Sequence, residues 1–475
     1  MTLLVFFVVH LEGRPDLHPW HLAELDAEFT TDSEVASFEE YLVLEDRLFR
    51  QLEERVYAET GSVGEDFVNR FKSGSLSDPS RWSPNWNRTF EWPAESPRAT
   101  VLLLHGLSDS PYSLRALGQR LQAEGHHVLG LRIPGHGTAP SGLVTVRWQD
   151  MAAAVRLAVE HLRRRHPGVP LHIVGYSNGA ALAVHHALIA IDDPAIPQAD
   201  RLVLLSPEIG ITSVAAFAVW QGRLGYLLGL DKLAWNSIHP EYDPFKYNSF
   251  AINAADLSYR ITAEIQRLLG RHVEAGTIGH MPPILAFTSA VDATVRAPDL
   301  VAHLFNRLEP GGHELVVYDI NHKAGIQSLL RWSPAEMTAL LEQGAGRGFT
   351  LSLVTNDHEH GNAVHLRRWA QDQSGRAEAP LGLEWPEDVF SLTHVALPFP
   401  PGDPLYGAEP SRPSPGIQLG NIAMHGERGV LQVSPAAMLR LRWNPFYDWQ
   451  EDQILRFLGQ ANPMAESSQE PAHTD

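Results

Sequence analysis

Short apolar runs alternate with amphipathic stretches along the middle of the chain. The apolar runs are "ATVLLLHG", "HHVLGLRI", "VPLHIVGYS" and "DRLVLLSP", and patterns with helical spacing, such as "SLRALGQRLQ" and "MAAAVRLAVEHL", lie between them. Uninterrupted apolar runs of strand length are typical of strands that are buried on both faces. The alternation therefore predicts an α/β fold with a mostly parallel central sheet and helices on both faces.

The alternation stops after residue 208 and resumes at residue 281 with "PPILAFTSAVD" and "HELVVYDI". The intervening segment is aromatic and irregular, which predicts a helical cap over the carboxyl ends of the strands, where ligand sites of α/β sheets lie. We expect an N-terminal helical or irregular segment, 1–95; the first part of the core, 96–208; the cap insertion, 209–280; the second part of the core, 281–323; a second insertion of unassigned role, 324–390; the end of the core, 391–460; and a disordered tail, 461–475.

Two features of the N-terminal segment have a predicted structure. Residues 32–57 show one apolar helical face, with Asp32 and Ser33 as candidate N-caps. The apolar run Leu3–Val9 is shorter than the roughly 20 residues of a spanning helix, and no basic residue precedes it. It is either the tail of a membrane anchor or a buried local segment. Membrane association through the N-terminus therefore stays open, and so does the compartment, whether cytoplasmic or membrane-associated and exported.

Charge and composition exclude several classes of function. The chain has 37 basic and 56 acidic residues, a net charge of −19, and no extended basic patch, so we expect no nucleic-acid partner. It has no cysteine, which excludes a thiol nucleophile, disulfides and thiolate metal sites. His358, His360 and His365 in "NDHEHGNAVH" do not have the spacing of a ligand pair on one helical face, and Gly361 marks a turn. We expect a solvated loop there, and no metal site.

The segment Gly175-Tyr176-Ser177-Asn178-Gly179 matches the G-x-S-x-G pattern of a nucleophile elbow. A serine on a sharp strand-to-helix turn needs neighbours without side chains two positions away, and the pattern places it between a predicted strand and a predicted helix. The alternative is an ordinary helix N-cap serine. The context favours Ser177 as a nucleophile.

A nucleophilic serine requires an oxyanion hole, which is a pair of donors aimed at the developing negative charge. The elbow itself supplies the backbone N–H of Asn178. The second donor is expected in the loop after an earlier strand, where "LLLHGLSDS" places Gly106 and Leu107. We predict the backbone N–H of Leu107, and the alternative for this loop is a simple strand-ending turn.

These motifs resemble the bacterial carboxylesterase and monoacylglycerol lipase group of the α/β-hydrolase superfamily, which includes serine aminopeptidase-like hydrolases. The resemblance covers residues 100–208 and 282–320, through "VLLLHGLSDS", the "PGHG" of Pro134–Gly137 and "IVGYSNGAALAV". It implies an α/β-hydrolase fold, a Ser-His-Asp triad, an oxyanion hole at Leu107 and Asn178, a site shaped by the "PGHG" loop, and no metal or cofactor. Asn178 departs from the group, which usually has Met or Leu there.

The acid and the base follow the nucleophile along such chains, in that order. Asp292 lies just past the apolar strand in "ILAFTSAVD" and is the predicted acid, with Glu208 and Asp319 as competitors. Two histidines compete as the base. His322 directly follows the strand "HELVVYDI", whereas His394 lies in "SLTHV", which resembles the group's S-x-H-V ending. We favour His394 because a final helix pattern follows it, and His322 stays as the alternative.

Together these residues predict a serine hydrolase that cleaves carboxylic esters through an acyl-enzyme, with an acyl glycerol, a lysophospholipid or a simple fatty ester as substrate. Amide hydrolysis, as in an aminopeptidase, or acyl transfer on the same triad is the alternative, and a non-catalytic binding protein is a third. Aromatic residues of the expected cap either hold an acyl chain or pack as the core of the cap: Phe217, Trp220, Tyr226, Trp235 and Phe245.

Overall fold

The computed structural model describes residues 13–62, 64, 67–210, 231–324, 348–357, 361–373, 375–421 and 434–460. Its centre is a sheet of ten strands, and two further short strands form a separate pair. In chain order the strands are β1 (Phe90–Trp92), β2 (Thr100–Leu104), β3 (His127–Leu131), β4 (Leu171–Tyr176), β5 (Arg201–Leu205), β6 (Trp235–Ser237), β7 (Phe250–Ala251), β8 (Ile284–Ser289), β9 (Glu314–Tyr318), β10 (Thr350–Thr355), β11 (Ala363–Trp369) and β12 (Arg376–Glu384).

The strands of the large sheet lie in the order β1-β3-β2-β4-β5-β8-β9-β10-β11-β12. All neighbours from β3 to β10 are parallel, and antiparallel pairs occur only at the two edges, where β1 pairs with β3 and β11 and β12 follow β10. The carboxyl ends of β4, β8 and β9 therefore meet at one edge of the sheet. The predicted α/β fold with a mostly parallel sheet is confirmed.

The helices lie mainly on the two faces of this sheet. They are α1 (Pro19–Leu22), α2 (Phe38–Leu52), α3 (Ala58–Thr60), α4 (Arg115–Ala123), α5 (Gly142–Thr145), α6 (Trp148–Arg165), α7 (Asn178–Asp192), α8 (Ile252–Ala275), α9 (Ala297–His303), α10 (Pro435–Met438) and α11 (Tyr447–Leu458). A π-helical turn, Glu53–Tyr57, joins α2 to α3, and short 3₁₀ turns span Pro79–Arg81, Pro111–Leu114, Asp231–Ala234, Ile278–His280, Phe305–Arg307 and His322–Ala324.

Two apolar cores result from the alternation of side chains along each strand. On β2, Leu102 and Leu104 point into the core that contains α6, α7 and α8, while Val101 and Leu103 point into the opposite core under α4 and α11. All five residues of β2 are buried. Burial on both faces explains why the sequence of these strands is continuously apolar.

The expected second insertion, 324–390, adds strands to the sheet. β10 pairs in parallel with β9, with Leu351 opposite Leu315, and β11 and β12 extend the edge. No strand is predicted here from the sequence. β12 is mostly exposed and "RAEAPLGLE" lacks a continuous apolar run, whereas β10 is buried and was missed. Residues 325–347 of this insertion lie outside the described residues, as does the tail, 461–475.

The expected cap, 209–280, divides into two parts. Residues 211–230, which include Phe217, Trp220 and Tyr226, lie outside the described residues. Helix α8 packs on α7, where His272 Nε2 lies 3.1 Å from the Leu188 carbonyl oxygen, so this helix is the crossover between β5 and β8. It belongs to the core, and the pattern could not distinguish it from a cap helix because both are amphipathic.

The remaining two aromatic residues of the expected cap are buried. Trp235 packs in the larger core against the His21 ring, with centroids 4.8 Å apart. Phe245 stacks on Tyr112 at 4.3 Å. The described members of that set therefore pack in the protein interior.

The N-terminal segment is held on the core by buried ion pairs. Arg132 at the end of β3 pairs with Glu28 at 2.9 Å and with Glu45 of α2 at 3.0 Å. Helix α2 begins later than expected, since Ser37 is its N-cap and forms a capping box with Glu40.

The two expected caps of that helix lie outside it. The Asp32 carboxylate pairs with Arg147 at 2.9 Å, and the Ser33 hydroxyl accepts from the Thr30 amide. Residues 1–12, with the apolar run Leu3–Val9, lie outside the described residues. None of the helices among the described residues has the length and apolarity that crossing a membrane requires.

Candidate active site

Ser177 lies at the turn between β4 and α7, where the backbone is strained. Its φ is 53° and its ψ is −116°, a conformation that side-chain-bearing residues rarely adopt. The glycines on either side explain how the turn closes. A Cβ on Gly175 would lie 2.5 Å from the Ala180 Cα, and one on Gly179 would lie 2.1 Å from the Leu104 carbonyl oxygen. The two glycines therefore permit a close approach that any other residue would block.

His394 and Asp292 lie in a line with Ser177. The His394 Nε2 is 2.9 Å from the Ser177 Oγ, and the His394 Nδ1 is 2.8 Å from the Asp292 Oδ2. Ser177, His394 and Asp292 are 8%, 6% and 5% exposed, respectively. The structure thus brings together three residues, the first and last of which are 217 positions apart in the chain.

The environment of Asp292 favours its ionised form. Burial disfavours the charge, but the attraction of His394, the hydrogen bond to its ring and the backbone N–H groups of Thr294 and Val295 together hold the pKa of Asp292 below its ordinary value. The carboxylate accepts the Nδ1–H of His394. This arrangement leaves Nε2 as the nitrogen that can accept the Ser177 proton.

Hydrogen bonds to the sheet and a neighbouring loop position His394, although it follows the second insertion. The Ser289 hydroxyl donates to the Leu392 carbonyl at 2.9 Å, and the Thr393 hydroxyl donates to the Leu441 carbonyl at 2.6 Å. Ile320, just after β9, also bridges to Ser391. The chain therefore returns from β12 to the edge where β4 and β8 end.

One predicted oxyanion donor directly follows Ser177, and the other lies in the loop after β2, the strand that pairs with β4. Asn178 is the first residue of α7, so its backbone N–H has no acceptor within the helix. The loop that contains Leu107 is held by the Tyr247 amide, which donates to the Ser108 carbonyl at 2.8 Å. Among the described residues, neither the Leu107 nor the Asn178 amide donates a hydrogen bond. The "PGHG" loop packs next to them, with the His136 and His105 rings 5.0 Å apart.

Glu208, the first competitor for the acid, contacts the elbow from another side. Its Oε2 accepts from the Asn178 Nδ2 at 3.2 Å, and its backbone N–H donates to the Ser177 carbonyl. Burial raises the pKa of Glu208, which disfavours a second negative charge beside Ser177. The His394 ring nitrogen is bonded to Asp292 and not to Glu208.

His322 and Asp319 form a second histidine–carboxylate pair near the end of β9. The His322 Nε2 is 2.9 Å from the Asp319 Oδ2, which also accepts from the Thr355 hydroxyl at 2.8 Å. The hydrogen bond to Asp319 outweighs burial and raises the pKa of His322 above its ordinary value. The Nε2 of His322 is thus occupied by a carboxylate, whereas the Nε2 of His394 is directed to Ser177.

A cavity of about 670 Å³ opens beside His394. Its wall comes from the loop after β2, the loop before β7, the loop after β8, the segment around His394, and α10 with the segment after it. The wall includes the apolar side chains of Val291, Leu392, Val395, Phe399 and Ala437, uncharged polar side chains, and the charged residues Asp109, Asp243, Lys246, Arg440 and Arg442. Sequence reasoning missed these charged residues because they lie in three distant segments without a shared motif.

The sequence predicts no metal site at His358, His360 and His365, and the structure describes only one of these three histidines. His358 and His360 lie outside the described residues, and His365 lies on β11. Within the described ranges, no group of three or more histidine, aspartate or glutamate side chains has the arrangement of a metal site.

A match to a known protein family is consistent with the fold described above. The family model of serine aminopeptidase, S33, matches residues 95–319, just under half of the chain. The match contains Ser177 and Asp292 and ends before His394.

Two curated relatives are similar to the chain. The thermostable monoacylglycerol lipase of Bacillus sp. (strain H-257) is 25% identical over 206 residues, which is 42% of this chain and 74% of that protein. The monoglyceride lipase homolog of Monkeypox virus is 27% identical over 135 residues, which is 28% of this chain and 46% of that protein.

Among solved structures, the monoacylglycerol lipase of Paleococcus ferrophilus aligns with 46% of this chain and 84% of its own, at 17% identity and a TM-score of 0.35. The family match, the curated relatives and the architecture of the sheet together show an α/β-hydrolase fold, and they support a hydrolase of the esterase and lipase type.

Proposed function

We propose that the protein hydrolyses carboxylic esters through a Ser177–His394–Asp292 triad and a covalent acyl-enzyme. The observation that carries the proposal is the pair of hydrogen bonds on His394, at 2.9 Å to the Ser177 hydroxyl and at 2.8 Å to the Asp292 carboxylate. A histidine held in this way has one nitrogen oriented by the acid and the other available as a general base.

The chemical steps follow from these contacts. His394 Nε2 takes the Ser177 proton as Oγ attacks the ester carbonyl, and the negative charge on the carbonyl oxygen is stabilised by the Leu107 and Asn178 amides. The tetrahedral intermediate collapses, and His394 gives its proton to the departing alkoxide. A water molecule then attacks the acyl-enzyme by the same route, which releases the carboxylic acid and restores Ser177.

The cavity and the relatives support a proposed substrate class. Apolar side chains along the wall suit a hydrocarbon chain, and both curated relatives are named as monoacylglycerol or monoglyceride lipases. We propose an acyl glycerol, a lysophospholipid or a simple fatty ester as the substrate, with the acyl chain against Val291, Val395 and Phe399.

The test combines covalent labelling with turnover. A fluorophosphonate probe is expected to label Ser177 in the folded protein, identified by mass spectrometry of the peptide that contains it. Hydrolysis of para-nitrophenyl esters and of a monoacylglycerol is expected to disappear in Ser177→Ala. Folded wild-type protein that neither reacts with the probe nor cleaves any of these esters would contradict the proposal.

The matched family description names an aminopeptidase, so an amide belongs in the same assay. We expect faster cleavage of a para-nitrophenyl ester than of the para-nitroanilide with the same acyl group, because the amine is the poorer leaving group. A ratio in favour of an aminoacyl anilide would assign amide hydrolysis instead. Analysis of products in the presence of an added alcohol separates hydrolysis from acyl transfer.

A further inference from the structure

Two arginines on the wall of the cavity have guanidinium groups without a carboxylate partner. Arg440 and Arg442 line the cavity together with His394. Arg442 donates to the backbone carbonyls of Leu419 and Ala437, at 2.8 and 3.2 Å, and Arg440 is exposed. Neither arginine forms an ion pair with any described residue, although the chain contains 56 acidic residues against 37 basic ones.

The other charged residues of the cavity form no ion pair with these arginines. Lys246 and Asp109 form an ion pair with each other at 3.0 Å. The two carboxylate oxygens of Asp243 accept the Tyr406 hydroxyl at 2.8 and 2.7 Å. Burial raises the pKa of Asp243, and the charge of Arg442 opposes this rise without direct ion pairing. The wall therefore carries three cationic and two acidic side chains, which is an excess of positive charge in an acidic protein.

The positive charge lies on the same cavity wall as His394, the base of the proposed triad. A guanidinium group binds carboxylate and phosphate oxygens through parallel N–H donors, and such bonds strengthen where the wall excludes water. An anionic group of a bound ester would supply the partner that the protein does not.

We propose that the cavity selects esters that carry an anionic oxygen group, a carboxylate or a phosphate, and that Arg440 and Arg442 bind this group. The inference rests on the proposed function, because the cavity is assigned to substrate through its contact with His394. The apolar part of the wall then takes the hydrocarbon portion, so the selected substrate is an amphiphile with one charged end.

The experiment compares matched neutral and anionic esters on the full-length protein. For a carboxylate, the pair is para-nitrophenyl pentanoate and the mono-para-nitrophenyl ester of glutaric acid, which have acyl groups of equal length. For a phosphate, the pair is an oleoyl glycerol and an oleoyl lysophosphatidate. We expect Arg440→Gln and Arg442→Gln to lower kcat/KM for the anionic member about 10- to 100-fold, the size of a lost charged hydrogen bond, and for the neutral member less than about threefold.

Two controls separate a charge effect from a structural one. Because Arg442 also donates to backbone carbonyls, Arg442→Lys retains the charge and is expected to recover part of the preference. Arg376→Gln removes a half-exposed arginine on β12, outside the cavity, and is expected to leave both members of each pair unchanged. Equal losses for neutral and anionic esters, or no loss for either, would overturn the inference and leave the proposed function intact.

If no ester is hydrolysed, the proposed function is contradicted. A binding measurement still tests the inference in that case. Glutarate or glycerol phosphate is expected to raise the Tm of Ser177→Ala, and to raise it less when Arg440→Gln and Arg442→Gln are added. The anion that gives the larger shift identifies the group. The absence of a shift with both anions would overturn the inference independently of catalysis.

Discussion

Two histidine–aspartate pairs lie at the same edge of the sheet, and they differ in which nitrogen holds the carboxylate. His394 contacts Asp292 through Nδ1, so its Nε2 reaches the Ser177 hydroxyl at 2.9 Å. His322 contacts Asp319 through Nε2. The local chemistry of the pairs is alike, and the orientation of the ring distinguishes them. A histidine next to an acid is therefore insufficient evidence of a general base, whereas the orientation of its second nitrogen is informative.

The two pairs also differ in how they arise from the chain. Asp319 and His322 are three residues apart, so one turn after β9 brings them together. Asp292 and His394 are separated by 102 positions and meet only because β10, β11 and β12 form and the chain then returns. The local pair is expected to stabilise the edge of the sheet, and the distant pair to serve Ser177.

The largest expected effect comes from removing the residue that only one pair contacts. Ser177→Ala removes the proposed nucleophile, and we expect kcat on a para-nitrophenyl ester to fall by about 10⁴- to 10⁶-fold with an unchanged Tm. Ser411→Ala, at an exposed loop serine, is the control and is expected to keep full activity. Substantial turnover by Ser177→Ala would remove the basis for distinguishing the two pairs.

The carboxylates give the next largest contrast. Asp292→Asn replaces the acceptor of the His394 Nδ1–H, so the imidazole is no longer held in the reactive tautomer, and we expect kcat to fall about 10⁴-fold. Asp319→Asn is expected to change kcat less than about threefold but to lower the free energy of unfolding by about 2 kcal/mol, because the buried Thr355 hydroxyl loses a charged acceptor. Steady-state kinetics and urea unfolding measure the two effects, and equal losses of activity in both variants would contradict the contrast.

The dependence of stability on pH is expected to have opposite signs at the two pairs. The raised pKa of His322 means that its contribution is fully present below the unfolded value of about 6.5 and is lost as the pH rises through the folded value. The lowered pKa of Asp292 means that its contribution is present above about 3.9 and is lost as the pH falls through the folded value. Urea unfolding of the wild type, His322→Gln and Asp292→Asn from acid to neutral pH measures both. A stability difference for His322→Gln that grows with rising pH would show that its sign is wrong.

The smallest expected effect tests whether the His322–Asp319 pair has only a structural role. Thr355→Val removes the hydroxyl that donates to Asp319 and keeps the shape of the side chain. We expect a loss of about 1 kcal/mol in the free energy of unfolding, and kcat/KM unchanged within error. A clear loss of esterase activity in folded Thr355→Val would instead connect the pair to the reaction.

Much of the fold could be predicted from the sequence because burial on both faces makes the central strands continuously apolar. β2, β4, β5 and β8 appear directly as such runs. The edge strand β12 could not be found in this way, since its exposed residues follow no apolar pattern. Helix α8 was predicted as part of a cap, whereas it packs on α7 in the core. An amphipathic pattern shows that one face is buried but does not indicate which surface that face packs against.

The residues of the candidate site also differ in whether the sequence could predict them. Ser177 and Asp292 follow apolar strands directly, so their neighbourhood at one sheet edge could be expected. The "SLTHV" pattern and the helix after it favoured His394 over His322, but the return of the chain to the sheet edge after the second insertion could not be predicted from a local pattern. Arg440 and Arg442 could not be recognised from the sequence, because two arginines in "LRLRW" resemble ordinary surface charges.

The central claim is that His394, and not His322, activates Ser177. The direct test is kcat/KM of His394→Ala and His322→Ala on one para-nitrophenyl ester, with circular dichroism and Tm to establish that both variants are folded. We predict a loss of about 10⁴-fold or more for His394→Ala and less than about threefold for His322→Ala. Retained activity in His394→Ala together with its loss in folded His322→Ala would contradict the assignment.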